Sequence, residues 1–157
     1  MYYMAKILLF DFSRVLLHPK DPDYSGSLND LYHSLLAKES YDFFAYFALN
    51  TELLDFLRTI KTKFSLYILT SEIIQNAPEI RGILDEILDD VFSAKNLGLS
   101  KKDPQIYRLI AEKLQKNPNE ITFIDDTIEN IYPAKEAGLQ TISYTSNKQL
   151  IKELQNL

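Results

Sequence analysis

The chain has 157 residues, of which 46% are hydrophobic and 25% are charged, and it contains no cysteine. This length and composition are typical of one globular domain and exclude a largely disordered chain. The lack of cysteine excludes disulfides and thiolate zinc sites, and the formal net charge of -5 disfavours nucleic acid and membranes as partners.

The first residues do not have the pattern of a secretory signal peptide. The first apolar run, 7–10, is short and is followed at once by the charged Asp11. No apolar stretch of the sequence reaches the length of a transmembrane helix. We therefore expect a cytoplasmic protein.

Strand-like apolar runs alternate along the chain with segments of helical periodicity. Strands are predicted at 7–10, 65–69, 91–93, 121–124 and 141–144. Helices are predicted at 28–38, 41–49, 51–62, 79–88, 104–115 and 128–137, with a last helix near the end of the chain. Strands separated by helices form a parallel sheet covered on both faces, so we predict one domain over 1–157 with a doubly wound, Rossmann-like α/β fold.

Polar pairs lie at or shortly after the ends of the predicted strands. They are Asp11 and Ser13, Thr70 and Ser71, Lys101 and Lys102, and Asp125 and Asp126. Taken singly, each pair has a structural explanation as a turn, a helix cap or a solvated surface pair. Because open parallel sheets bind ligands beyond the carboxyl ends of their strands, the four pairs together indicate a functional site.

These motifs resemble those of the haloacid dehalogenase (HAD) superfamily, in which magnesium-dependent phosphatases predominate. Asp11, between Phe10 and Phe12, is similar to the nucleophile motif, and 68–71 is similar to the second motif. The segment 98–107 is similar to the lysine motif of the family, and 121–130 is similar to the metal-binding motif. The resemblance extends over nearly the whole chain.

The resemblance implies a reaction in which Asp11 attacks phosphorus and forms an aspartyl-phosphate that water then hydrolyses. Lys101 would neutralise charge beside Asp11 and bind the phosphate. The Thr70 hydroxyl and the Ser71 backbone amide would bind phosphate oxygens. The implied substrate is a small phosphorylated metabolite.

The resemblance also implies a bound Mg²⁺. Its ligands would be Asp11, the backbone carbonyl of Ser13, Asp125 and, through a water molecule, Asp126. Since the ligand at position 13 is a backbone atom, the side chain there does not decide whether the metal binds.

The sequence departs from the family pattern at Ser13, where phosphatases of the family carry a second Asp that protonates the leaving group. A serine hydroxyl is too weak an acid for this step, so the rate falls by roughly 10²–10⁴ unless another acid takes over. His18, close in sequence to Asp11, is a candidate for that acid.

Three hypotheses follow from Ser13. The first is a slow or specialised phosphohydrolase that acts on good leaving groups, or that uses the substrate or water as the acid. The second is a catalytically silent scaffold with a binding or regulatory role. The third is other HAD chemistry, such as dehalogenation or phosphonate cleavage, whose members also lack the second Asp. Dehalogenation needs no metal, however, whereas Asp125 and Asp126 resemble a retained metal site, and we favour the first hypothesis.

The segment 18–49 lies where some members of the family insert a cap domain that selects the substrate. Its shortness predicts a reduced helical cap and an open mouth. We expect its aromatic side chains to pack on the core, with a ligand-facing wall or a partner surface as the alternatives; they are Tyr24, Tyr32, Tyr41, Phe43, Phe44, Tyr46 and Phe47. Arg14 stands where the family commonly has glycine, and we interpret it as a solvated turn residue rather than a substrate contact. The sequence determines neither the substrate nor the oligomeric state.

Overall fold

A five-stranded parallel sheet forms the centre of the computed structural model, which describes residues 6–157. Its strands are β1 (Lys6–Phe10), β4 (Phe64–Thr70), β5 (Asp90–Ser93), β6 (Ile121–Asp125) and β7 (Gln140–Ser143). The spatial order is β5-β4-β1-β6-β7, and every neighbouring pair in it is parallel. The chain therefore winds outward from β1 in both directions, which confirms the predicted doubly wound α/β fold.

Helices cover both faces of this sheet. They are α1 (Leu28–Leu36), α2 (Phe43–Tyr46), α3 (Thr51–Ile60), α4 (Pro78–Ile87), α5 (Ala94–Leu97), α6 (Pro104–Lys113), α7 (Ile128–Glu136) and α8 (Asn147–Gln155). None of the helices within residues 6–157 combines the length and the hydrophobicity needed to cross a membrane.

The alternating side chains of β1 belong to two separate hydrophobic cores. Leu8 and Phe10 pack in a core with residues of α1, α3, α4 and α8. Ile7 and Leu9 pack in the other core, with residues of α6 and α7. The sequence of a strand that is buried on both faces is a continuous run of apolar residues. The run at 7–10 has this pattern, so the strand could be predicted from the sequence.

The predicted helix 41–49 is wrong in its second half. The helix α2 ends at Tyr46, and 47–49 forms the strand β3 (Phe47–Leu49). This strand pairs antiparallel with β2 (Leu17–Pro19), which the sequence analysis did not predict. The apolar residues of 43–47 have helical spacing, but the pairing with β2 satisfies the backbone groups of 47–49 and overrides that local preference.

The aromatic side chains of 18–49 pack mainly against one another and against the core. Phe43 and Phe47 are buried, with ring centroids 4.7 Å apart, and Tyr32 meets Phe43 edge-on at 6.1 Å. Tyr24, Tyr41 and Tyr46 pack on the same core, while Phe44 is exposed. The expected packing role of this aromatic group is confirmed for all of its members except Phe44.

Candidate active site

Asp11 lies at the carboxyl end of β1, in the middle of the sheet. Its backbone N–H donates to the Ile124 carbonyl of β6 at 2.8 Å, which continues the parallel pairing beyond the strand. The next residue, Phe12, is fully buried, and its carbonyl accepts hydrogen bonds from Leu16 and Leu17 at 2.9 and 3.2 Å. The turn that follows Asp11 is therefore anchored on both sides, and the buried carboxylate is held in place.

Arg14 occupies the left-handed backbone region, with φ of 65°. Glycine adopts this conformation without the steric penalty that a side chain incurs, so glycine would be the unstrained residue at this turn position. The Arg14 guanidinium donates to the carbonyls of Tyr24 and Gly26 at 3.0 and 2.8 Å. The interpretation of Arg14 as a solvated turn residue is wrong, because its half-buried side chain ties the turn to the segment before α1.

Three carboxylates meet at this edge of the sheet. Asp11, Asp125 and Asp126 each offer a carboxylate oxygen, and these oxygens lie within 4.8 Å of one another. Asp125 is fully buried at the end of β6 and accepts hydrogen bonds from the Thr127 N–H at 2.8 Å and the Asn130 side chain at 3.0 Å. An all-oxygen donor set of this kind suits Mg²⁺.

Lys101 is a buried cation beside two of these carboxylates. Its Nζ donates to Asp11 Oδ1 and lies 3.7 Å from Asp125 Oδ2. The Tyr107 hydroxyl, on α6, shares its one proton between the Lys101 carbonyl at 2.7 Å and the Asn130 carbonyl at 3.1 Å. The lysine backbone is thus linked through α6 to Asn130 of α7, whose side chain donates to Asp125.

The electrostatics of the cluster favour the binding of additional positive charge. Burial raises the pKa of Asp11 to about 7, against the lowering effect of Lys101, and the charge of Asp125 adds to the rise. Desolvation, followed by the charge of Asp125, also raises the pKa of Asp126. Ionising these buried carboxyl groups therefore costs free energy, and the charge of Lys101 offsets only part of that cost. A bound divalent cation would offset more of it.

A cavity of about 290 Å³ opens beside the carboxylates. It is lined by Asp11, Ser13, Arg14, Ser27, Leu28, Asn29, Ser71, Glu72, Lys101, Asp126, Thr127 and Asn130. No aromatic residue of the described chain lines it. The first residues of α1 therefore form one wall of the cavity, and the ends of β1, β4 and β6 form its floor.

Most of the predicted site residues come together around this cavity. Asp11, Ser13, Ser71, Lys101 and Asp126 line it, and Asp125 lies behind them in contact with the lysine. Thr70 is buried in β4 and is not among the lining residues, and Lys102 lines a neighbouring open cleft instead.

His18 is not among the residues that line the cavity, and this location does not support the hypothesis that His18 replaces the missing acid. It is part of β2, and its ring faces that of Tyr144 with the centroids 6.5 Å apart. Burial lowers its pKa below the usual range.

Four residues at or beside the cavity were given no site role from the sequence, although Asn130 ends the predicted metal-binding motif; they are Asn29, His33, Glu72 and Asn130. Glu72 directly follows the predicted motif residues Thr70 and Ser71, so its position could have drawn attention. His33 and Asn29 lie in a segment whose placement over the sheet only the fold reveals.

The sheet order and the polar cluster at its carboxyl edge define a Rossmann-like fold with its candidate site where open parallel sheets bind ligands. The chain belongs to the haloacid dehalogenase-like hydrolases, because its sequence matches that family over residues 33–138. The match includes the motifs at 70–71, 101 and 125–126 and begins after Asp11. No curated protein matches the chain.

Solved structures share the fold over most of the chain. A predicted HAD-like family hydrolase from Porphyromonas gingivalis superposes with a TM-score of 0.70 at 18% identity, covering 98% of this chain and 97% of that chain. A HAD family enzyme from Bacteroides thetaiotaomicron, in complex with magnesium and inorganic phosphate, has a TM-score of 0.67 at 19% identity, covering 93% and 98%. A dehalogenase with an intermediate complex is 26% identical, with a TM-score of 0.56, over 63% of this chain and 45% of that chain.

Proposed function

We propose that this protein is a magnesium-dependent phosphohydrolase that acts through an aspartyl-phosphate at Asp11 on a small phosphorylated metabolite. The observation that carries the proposal is the meeting of three carboxylates with the buried Lys101 at the floor of one cavity. A buried ion pair is weak evidence for a stabilising role, since replacing the whole pair with well-packed apolar side chains is often neutral, and buried charged clusters in a cavity therefore point to a functional site.

The reaction consists of two displacements. The Asp11 carboxylate attacks phosphorus, the bond from phosphorus to the leaving oxygen breaks, and water then attacks the aspartyl-phosphate to release phosphate. Lys101 stabilises the negative charge that accumulates when the two anions meet. The Ser71 backbone amide, at the lining of the cavity, binds the phosphate oxygens, and the buried Thr70 lies behind it in β4.

The residues present fit a Mg²⁺ ion. We assign its binding to Asp11, the Ser13 carbonyl, Asp125 and, through water, Asp126. When bound, the ion would supply the positive charge that brings an anionic phosphate to an anionic nucleophile. The Bacteroides enzyme of the same fold, solved with magnesium and phosphate, supports this assignment.

The acidic cluster also favours phosphate transfer over dehalogenation. A dehalogenase is among the proteins of similar fold, but that chemistry needs no metal and has no use for three converging carboxylates. The segment 18–49 would act as a reduced cap, since α1 begins at the cavity and Arg14 ties the residues before it to the nucleophile turn.

The test is phosphate release by the purified protein with magnesium on a panel of phosphomonoesters, acyl phosphates and sugar 1-phosphates. Asp11→Asn is the control, because it keeps the shape of the side chain and removes the nucleophile. We expect turnover that the control lacks entirely. Equal phosphate release by both proteins on every substrate would refute the proposal and leave a binding scaffold.

A further inference from the structure

Glu72 is a carboxyl group of the cavity that the proposed reaction does not yet use. It follows Ser71 beyond the carboxyl end of β4 and lines the cavity together with Asp11 and Lys101. Within residues 6–157, Asp11 and Asp126 are the only other carboxyl groups in that lining, and both belong to the metal-binding cluster. Glu72 is therefore the one carboxyl group in the described lining of this cavity that is outside the metal-binding cluster and free to act as a proton donor.

His33 holds this carboxyl group from the opposite wall. Its Nε2 lies 2.8 Å from Glu72 Oε2, a hydrogen bond between α1 and the loop after β4. The contact engages Oε2 and leaves Oε1 for other partners. A side chain restrained in this way costs less entropy to position in a transition state than a mobile one.

Glu72 lies nearer the mouth of the cavity than Asp11 does. The Asp11 nucleophile is buried at the floor with 7% of its surface exposed, whereas the Glu72 side chain is 37% exposed. In an in-line displacement the leaving oxygen points away from the nucleophile. A leaving group that points away from the floor would therefore point toward the mouth, where Glu72 lies.

We propose that Glu72 is the general acid that replaces the missing Asp at position 13, and that His33 is its positioning residue. This inference rests on the proposed phosphohydrolase function. In the first step, the leaving oxygen takes the bonding electron pair from phosphorus and the proton from the Glu72 carboxylic acid. In the second step, the Glu72 carboxylate takes a proton from the water that attacks the aspartyl-phosphate, which restores the acid and frees Asp11.

Charged groups surround Glu72 in its own cavity and in the cleft beside it. They are His33, Arg14, Lys101, Lys95, Lys102, Asp11 and Asp126. The cations among them would stabilise the carboxylate that Glu72 becomes after it has given its proton to the leaving oxygen.

The experiment compares the leaving-group dependence of Glu72→Gln with that of the unmodified protein. The probes are 4-nitrophenyl phosphate, whose leaving group needs no proton, and phenyl and benzyl phosphate, whose leaving groups do. We expect kcat/KM to fall by roughly 10²–10⁴ on benzyl phosphate and by less than about tenfold on 4-nitrophenyl phosphate. His33→Gln should show a smaller loss of the same pattern, with a displaced pH profile on benzyl phosphate alone.

Glu112→Gln is the matched control, because it removes the same charge from an exposed position on α6. Glu112→Gln should leave kcat/KM unchanged on all three esters. A Glu72→Gln variant that loses the same factor on all three esters, or loses none, overturns the inference while the phosphohydrolase proposal stands. If the unmodified protein releases no more phosphate than Asp11→Asn, both proposals fall together.

Discussion

Lys101 illustrates how one residue can link stability to function. Its ammonium group is buried between Asp11 and Asp125, and little exposed surface is left for water to screen these charges. A buried ion pair of this kind adds little net stability, but losing one partner leaves an uncompensated charge.

Replacing this lysine should therefore destabilise the protein strongly. We expect Lys101→Met to lower the free energy of unfolding by about 3–5 kcal/mol in the absence of magnesium. Urea unfolding measures the effect. Lys102→Met is the control, since this neighbouring lysine is exposed and its loss should change the value by no more than about 0.5 kcal/mol. Equal effects of the two substitutions would contradict the assigned role of burial.

His18 contributes a pH dependence that is independent of the active site. Burial lowers its pKa in the folded protein, and the nearby Arg14 charge acts in the same direction. The unfolded chain then binds more protons than the folded one as the pH falls below the ordinary histidine value of about 6.5, so stability decreases toward acid pH.

The test of this linkage is the stability of His18→Gln between pH 8 and pH 5. The free energy of unfolding of the unmodified protein should fall more steeply with decreasing pH than that of the variant, because glutamine takes up no proton. Urea unfolding at several pH values gives both curves. Parallel curves would show that His18 has the same proton affinity in both states.

At the scale of elements, the pairing of β2 with β3 holds the segment 18–49 on the core. Leu17 pairs with Leu49 and Pro19 with Phe47, so the two ends of the segment meet. The stretch between them carries α1, whose first residues border the cavity. The wall of the candidate site therefore depends on packing that lies outside the site.

The aromatic packing beside this pair of strands can be tested with two phenylalanines, Phe47 and Phe44. Phe47 is fully buried, and Phe47→Ala should cost about 3–5 kcal/mol of unfolding free energy. Phe44 is 44% exposed and meets Phe43 only edge-on, so Phe44→Ala should cost about 1 kcal/mol or less. Thermal or urea unfolding distinguishes them. If Phe44→Ala proved the more damaging change, the described packing would be incorrect.

At the scale of the whole molecule, the parallel pairing of β1 and β6 brings the distant motifs together. Phe10 is in register with Ile124, so the residues that follow them, Asp11 and Asp125, lie side by side at the carboxyl edge. The proposed metal site exists only while this pairing is intact. Metal binding should therefore be coupled to folding.

Magnesium should accordingly stabilise the folded protein. At about 100 times its dissociation constant we expect a gain of about 2.7 kcal/mol, seen as a rise in Tm. Asp126→Asn should reduce this gain, whereas Asp85→Asn, at an exposed position on α4, should preserve it. A rise in Tm that is the same for all three proteins would indicate nonspecific binding of the cation.

The layers of the fold and the residues at the floor of the site could be predicted from the sequence alone. The buried strand 7–10 is apolar along its whole length and 121–124 is apolar except for Thr122. The motif residues follow these strands directly, so the local pattern was sufficient. The predicted roles of Asp11, Lys101 and the metal ligands stay predictions, as does the cytoplasmic location.

Only the tertiary structure decided the walls of the site. The strand at 47–49 forms because it meets 17–19, and Glu72 meets His33 because α1 packs over the end of β4. Neither contact has a local signal, since each joins residues about 30 to 40 positions apart whose own spacing favours a helix or no structure. The floor of the site thus follows from strand periodicity, whereas the wall that would supply the missing acid follows from long-range packing.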